Sequence, residues 1–148
     1  MNIKSWLKYL IYIVIIFVMI YIRNYVIGLY TAYFQREFRI NLSLLTISML
    51  ITIGIGLLLG IEYFISEIKK EGLWKLNFPK IILLGVPSLY FSITQFAVYC
   101  KNQFWQNIIG FPWLKLQINS SSYVTLFQLI FGYVIITSFY KCNKKSVN

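Results

Sequence analysis

A chain of 148 residues with 59% hydrophobic and 12% charged residues, a net charge of +10 and a mean hydropathy of +0.70 departs from an ordinary soluble domain, where about 25% of residues are charged. It has no His and no Asp, and its acids are Glu37, Glu62, Glu67 and Glu71 alone. Imidazole bases, Ser–His–Asp triads and His- or Asp-based metal centres are therefore excluded by inventory.

The first apolar run is "LIYIVIIFVMIYI", Leu10 to Ile22. With Trp6, Leu7 and Tyr9 before it and "NYVIGLY" after it, the run exceeds the roughly 20 residues that cross a bilayer. A first span over about 6–30 follows. Lys4 and Lys8 precede it as in a signal peptide, but Arg23, Asn24 and Tyr25 follow instead of a small-residue cleavage site, so the span is expected to stay uncleaved. Arg23 is a candidate intramembrane charge. Either it finds a partner, with Glu37 on its side and Glu62 on the opposite face, or it snorkels to the outer interface.

The second span covers about 42–64, within "LSLLTISMLITIGIGLLLGI" and the start of a polar extension, "EYFISEIKKEG". Lys69 and Lys70 followed by Gly72 form a helix stop. Beside them, Glu62 and Glu67 read as an ordinary solvated helix end. Next comes "LWKLNFPK", where Trp74 and Phe78 stand between lysines as a headgroup-level belt.

A third span over about 79–100 starts at Pro79, a residue tolerated in a first helical turn. Pro87 is expected to bend it and to act as a hinge, freeing a carbonyl one turn earlier. The loop "KNQFWQNIIGFPWLKLQINSSS" carries Phe104, Trp105, Phe111 and Trp113, interfacial anchors or a recognition surface beside Pro112. The fourth span covers about 121–140 and precedes a short basic tail.

Three spans carry a stripe of small or polar residues at helical spacing. Span two has Ser48, Thr52, Gly56 and Gly60; span three has Gly85, Ser88, Ser92, Gln95 and Tyr99; span four has Ser121, Thr125, Gln128 and Gly132. Lipid is as apolar as leucine, so small residues that let backbones touch, and hydroxyls that bond across the gap, drive helix association. The stripes are read as packing seams. Consecutive spans run antiparallel, which predicts that Gln95 and Gln128 reach similar depth and face each other or share a partner.

The fold class expected is all-α: a polytopic integral membrane protein, a four-transmembrane-helix bundle with short interfacial loops, in one domain over 1–148. Barrel strands would alternate polar and apolar residues, and these runs do not. With the N-terminus inside, Lys4, Lys8, Lys69, Lys70, Lys75, Lys80, Lys141, Lys144 and Lys145 face one side, and Arg23, Arg36, Arg39, Lys101 and Lys115 the other. That bias puts both termini in the cytoplasm and suggests a bacterial plasma membrane. Cys100 and Cys142 would then lie at opposite ends, roughly 30 Å apart and beyond disulfide reach. The basic residues between spans suit anionic lipid headgroups, and no basic helix face indicates nucleic acid.

The expected function is a non-enzymatic accessory subunit, scaffold or protector that packs on a larger membrane partner or on itself, with no cofactor or metal. The alternative is an oligomeric transporter or holin-like pore, its polar path lined by spans two to four.

Overall fold

In α1 (Ile3–Glu37) no proline interrupts the ladder and Gly28 is the only glycine. Its 35 residues extend about 52 Å at 1.5 Å per residue, past the end expected near residue 30. Phe38 stops it in the left-handed region at φ 49, a conformation costly for a bulky side chain. Its N–H still reaches back to the Phe34 carbonyl at 2.9 Å. Three residues on, the Asn41 side chain accepts the Leu44 N–H at 3.2 Å and so caps the start of α2 (Leu42–Ile68).

The computed structural model describes residues 3–97, 103–110 and 122–142, and these are predominantly helical. Among them two helices are long and apolar enough to cross a membrane: Trp6–Glu37, at hydropathy 2.3, and Leu42–Ile68, at 2.4. Only 6% and 28% of their most apolar windows are buried within the chain, whereas the core helix of a soluble protein hides most of its apolar surface.

Past α2, Gly72 takes φ 147, which only glycine adopts freely, and turns the chain into β1 (Leu73–Leu76). The strand pairs antiparallel with β2 (Phe139–Cys142), Leu73 opposite Cys142 and Leu76 opposite Phe139. Neither strand is visible as such in the sequence, where Phe139 and Tyr140 read as the end of span four. The helix stops at Thr137. The aromatic pair, which suits a pleated surface, then closes a two-stranded ribbon extended by Asn77 N–H to the Ser138 carbonyl at 2.9 Å.

The next helical run covers 78–97: α3 (Phe78–Lys80), a π-helical turn at Ile81–Gly85, and α4 (Val86–Ala97). Asn77 caps it by accepting the Lys80 N–H at 3.2 Å. The wide turn explains how Pro87 is tolerated. Val86 N–H reaches back to the Ile81 carbonyl, so the ladder shifts register just before the residue that has no donor. The Ser88 hydroxyl then donates to the Leu84 and Gly85 carbonyls at 2.6 and 3.0 Å. α5 (Gln103–Trp105) and a second π turn, Gln106–Gly110, are tied back by the Tyr90 hydroxyl, which donates to the Ile108 carbonyl at 2.7 Å. The aromatic loop around Phe111, Pro112 and Trp113, together with Tyr99, Cys100 and Ser121, lies outside the described residues. α6 (Ser122–Thr137) completes the helices.

The principal packing order is α1, α2, α6, α4. α1 and α2 run antiparallel, with Lys8 and Tyr9 beside Glu62 and Arg23 beside Thr52. α2 and α6 run parallel, since Gly56 meets Leu129 and Gly60 meets Ile136. α4 returns antiparallel, and Phe91 stacks on Phe127 with centroids 4.5 Å apart.

The interior inverts the usual rule. Among the described residues the largest fully buried side chains are Thr52, Thr94, Ser88, Ser92 and Ser138, beside a few buried apolar ones such as Val134 and Ile55, while Phe17, Tyr21 and Leu83 stay 65%, 74% and 72% exposed. In water such an arrangement forfeits most of the hydrophobic term.

Candidate functional site

The seam of α2 meets α6 backbone to backbone. A Cβ on Gly56 would overlap the Leu129 carbonyl, and one on Gly132 would overlap the Ile53 carbonyl. The two glycines thus open reciprocal notches, each admitting the other helix. One turn on, a Cβ on Gly60 would run into the Ile136 and Thr137 side chains. Ser48 and Thr52 continue the buried edge, with the Thr52 hydroxyl donating to the Ser48 carbonyl at 2.9 Å.

Arg23 closes this edge. Its Nε donates to Thr52 Oγ1 and its Nη2 to Thr125 Oγ1, both at 2.8 Å. Neither sequence reading of Arg23 describes this geometry. The guanidinium does not pair with Glu37; it reaches two hydroxyls, that of Thr52 within α2 and that of Thr125 in the first turn of α6. Thr52 stands midway between Leu42 and Glu62, about 15 Å of helix from each.

The seam of α4 faces α6 as well. Gly85 lies against Val134, with 3.5 Å between a notional Cβ and the valine methyl. Ser88 and Ser92 are buried, and Ser92 donates to the Ser88 carbonyl at 2.6 Å. Gln128 is buried too, yet no hydrogen bond joins it to Gln95 among the described residues, and Gln95 Nε2 is buried without a partner. Register explains the difference from the sequence expectation. Phe91 sits opposite Phe127 and Gly85 opposite Val134, so in this antiparallel pair Gln95 lies level with Tyr123. The two amides are offset by about 7 Å along the axis.

One charged cluster escaped the sequence reading. Glu67 is 3% exposed, not a solvated helix end. It pairs with Lys70 and accepts the Lys141 backbone N–H at 3.0 Å. Lys141 Nζ in turn donates to the Ile68 and Lys70 carbonyls at 2.7 and 2.8 Å, covering the open C-terminus of α2. Lys80 plays the same part for α6, donating to the Thr137 hydroxyl at 2.6 Å and to its carbonyl at 3.3 Å. The Glu67 hydrogen bond holds the Lys70 ammonium above the ordinary lysine range, so this pair stays charged through neutral pH. Spacing carried a signal for Glu67: it stands seven residues past Gly60, on the seam's own stripe.

Replacing Glu67 with Gln removes the charge and leaves one acceptor oxygen for two donors, the Lys141 amide and the Lys70 ammonium. Hydrogen exchange at that amide is expected to accelerate strongly, while exchange at the α2–α6 crossing stays unchanged.

At the same end Lys8, Tyr9, Tyr12, Ile61, Glu62 and Ile65 line a small cleft. The Glu62 carboxylate accepts from Tyr9 at 2.9 Å and from Lys8 at 3.4 Å, and the Tyr12 hydroxyl donates to the Leu58 carbonyl. No trio of His, Cys, Asp or Glu able to hold a metal occurs among the described residues. The chemistry these groups offer is hydrogen bonding and charge pairing. No family model, curated protein or solved structure matches the chain.

Proposed function

We propose that the chain is a multi-pass integral membrane protein, with α1, α2, the run 78–97 and α6 as its four crossings, acting as a non-enzymatic accessory subunit, scaffold or protector of a larger membrane partner. The observation that carries this reading is where the small-residue seams go. Gly56 and Gly132 notch into each other, and Gly85 lies on Val134, so the seams are spent inside one chain. A pore built from several copies needs those seams free to line its path. What remains outward is large and apolar, above all on α1, whose one principal neighbour is α2.

Hydroxyls inside and aliphatics outside is the arrangement favoured when hydrocarbon is the solvent. Lys8, Lys69, Lys70, Lys75, Lys80 and Lys141 belong to the end that holds Glu62 and the ribbon. Such a basic end supports a cytoplasmic placement there, and with it cytoplasmic termini in a plasma membrane whose anionic headgroups the lysines meet.

A photo-crosslinker at Tyr21 or Phe17, exposed on α1, tests the reading in native membranes. One discrete adduct with a different membrane protein is expected. Adducts only with lipid, or ion flux from liposomes holding the pure chain, would replace it with a monomeric or a pore-forming role.

A further inference from the structure

We propose that Arg23 is the docking point for a carboxylate carried by a transmembrane helix of a partner protein at the level of Thr52 on α2. The inference rests on the accessory-subunit reading and deepens it by stating the partner's chemistry.

Arg23 has five N–H donors to place, and two go to neutral threonine oxygens. Those two bonds orient the group without neutralising it. None of the four glutamates is placed to do so. Glu62 is taken by Lys8 and Tyr9, and Glu67 by Lys70 and the Lys141 amide. Glu37 lies on the same helix as Arg23, about 21 Å further along. Glu71 follows the far end of α2.

A second copy brings the same four acids at the same ends of its helices, so it offers no carboxylate at the level of Thr52. Lipid phosphates stay at headgroup level, about 15 Å from the middle of the hydrocarbon. A cation at mid-span is costly unless paired, and pairs there with an opposite charge. Arg23 is half-buried and so remains reachable. A carboxylate also fits the planar fork of a guanidinium through two parallel hydrogen bonds.

The test places the full chain in phosphatidylcholine vesicles and measures energy transfer to labelled leucine–alanine transmembrane peptides. The peptides carry Glu, Gln or Leu at the centre, or Glu near one end. The central-Glu peptide is expected to bind about tenfold more tightly than the central-Gln peptide, and the end-placed Glu to gain nothing. That advantage should vanish in Arg23→Gln and persist in part in Arg23→Lys. Because the decisive Glu-to-Gln exchange is made on the peptide, a folding defect in a variant cannot imitate it.

Equal binding of the central-Glu and central-Gln peptides overturns the proposal, as does an advantage that survives Arg23→Gln. Abolition of the advantage by sodium formate assigns the group to small anions and overturns helix docking. Arg23-dependent transfer between two differently labelled copies overturns it in favour of self-association. A heterologous crosslink from α1 alongside failed peptide discrimination removes this inference and leaves the accessory role standing. Discrimination without any crosslink does the reverse.

Discussion

Gly56→Ala and Gly132→Ala are each expected to destabilise the folded chain by about 3 kcal/mol, the upper range for an added methyl, read as a lower unfolding midpoint in detergent. The size follows from what the methyl meets. At both positions the obstacle is the carbonyl of the opposing helix, which no rotamer change can move aside, so the whole of α2 must shift from α6. Gly28 supplies the control, since a Cβ there meets nothing within 4 Å. Gly28→Ala gains helix propensity of about 1 kcal/mol and should be neutral or stabilising. Gly54→Ala belongs between them, because its Cβ meets only the end of the Met19 side chain at 3.0 Å. The double variant Gly56→Ala/Gly132→Ala should lose less than the sum, since the first displacement makes room for the second methyl. Equal midpoints for Gly28→Ala and Gly56→Ala would mean that the two helices do not cross at these glycines.

Features set by a helix's own period could be read before the structure was known. Fourfold spacing gathers Ser48, Thr52, Gly56 and Gly60 on one stripe whatever that stripe touches, and the long uncharged runs of α1 and α2 show in hydropathy alone. Features set by a partner could not. The depth of Gln95 against Gln128 depends on the register between α4 and α6, which the ring stack of Phe91 on Phe127 fixes. Pro87 announced a disturbed ladder, but the π turn at Ile81–Gly85 that absorbs it is a tertiary outcome. The ribbon of Leu73–Leu76 with Phe139–Cys142 joins segments far apart in sequence, each too short to carry a strand signature. Charge bias suggested a basic end and could not reveal that Lys141 and Lys80 cover the last turns of α2 and α6.

Arg23→Leu is expected to leave the isolated chain at least as stable as the parent and to ease membrane insertion of α1 by about 3 kcal/mol. Translocon scales charge an arginine at a helix centre that amount relative to zero and credit leucine slightly. The sign is opposite to that for breaking a buried ion pair, where removing one partner strands the other charge. Here the partners left behind are hydroxyls. Thr52 already donates to the Ser48 carbonyl at 2.9 Å, and a threonine inside a helix can always return to a carbonyl of its own preceding turn. An apolar side chain of similar reach keeps α1 on α2, since Met19 against Gly54 and Tyr12 on the Leu58 carbonyl are untouched. Two measurements separate the energies involved: glycosylation-mapped insertion of α1, and the unfolding midpoint of the purified chain. A midpoint that falls sharply in Arg23→Leu while insertion improves would make the guanidinium a structural clamp between α2 and α6. An unchanged or higher midpoint marks Arg23 as a residue the lone chain carries at a cost, and its use must then lie in what the chain binds.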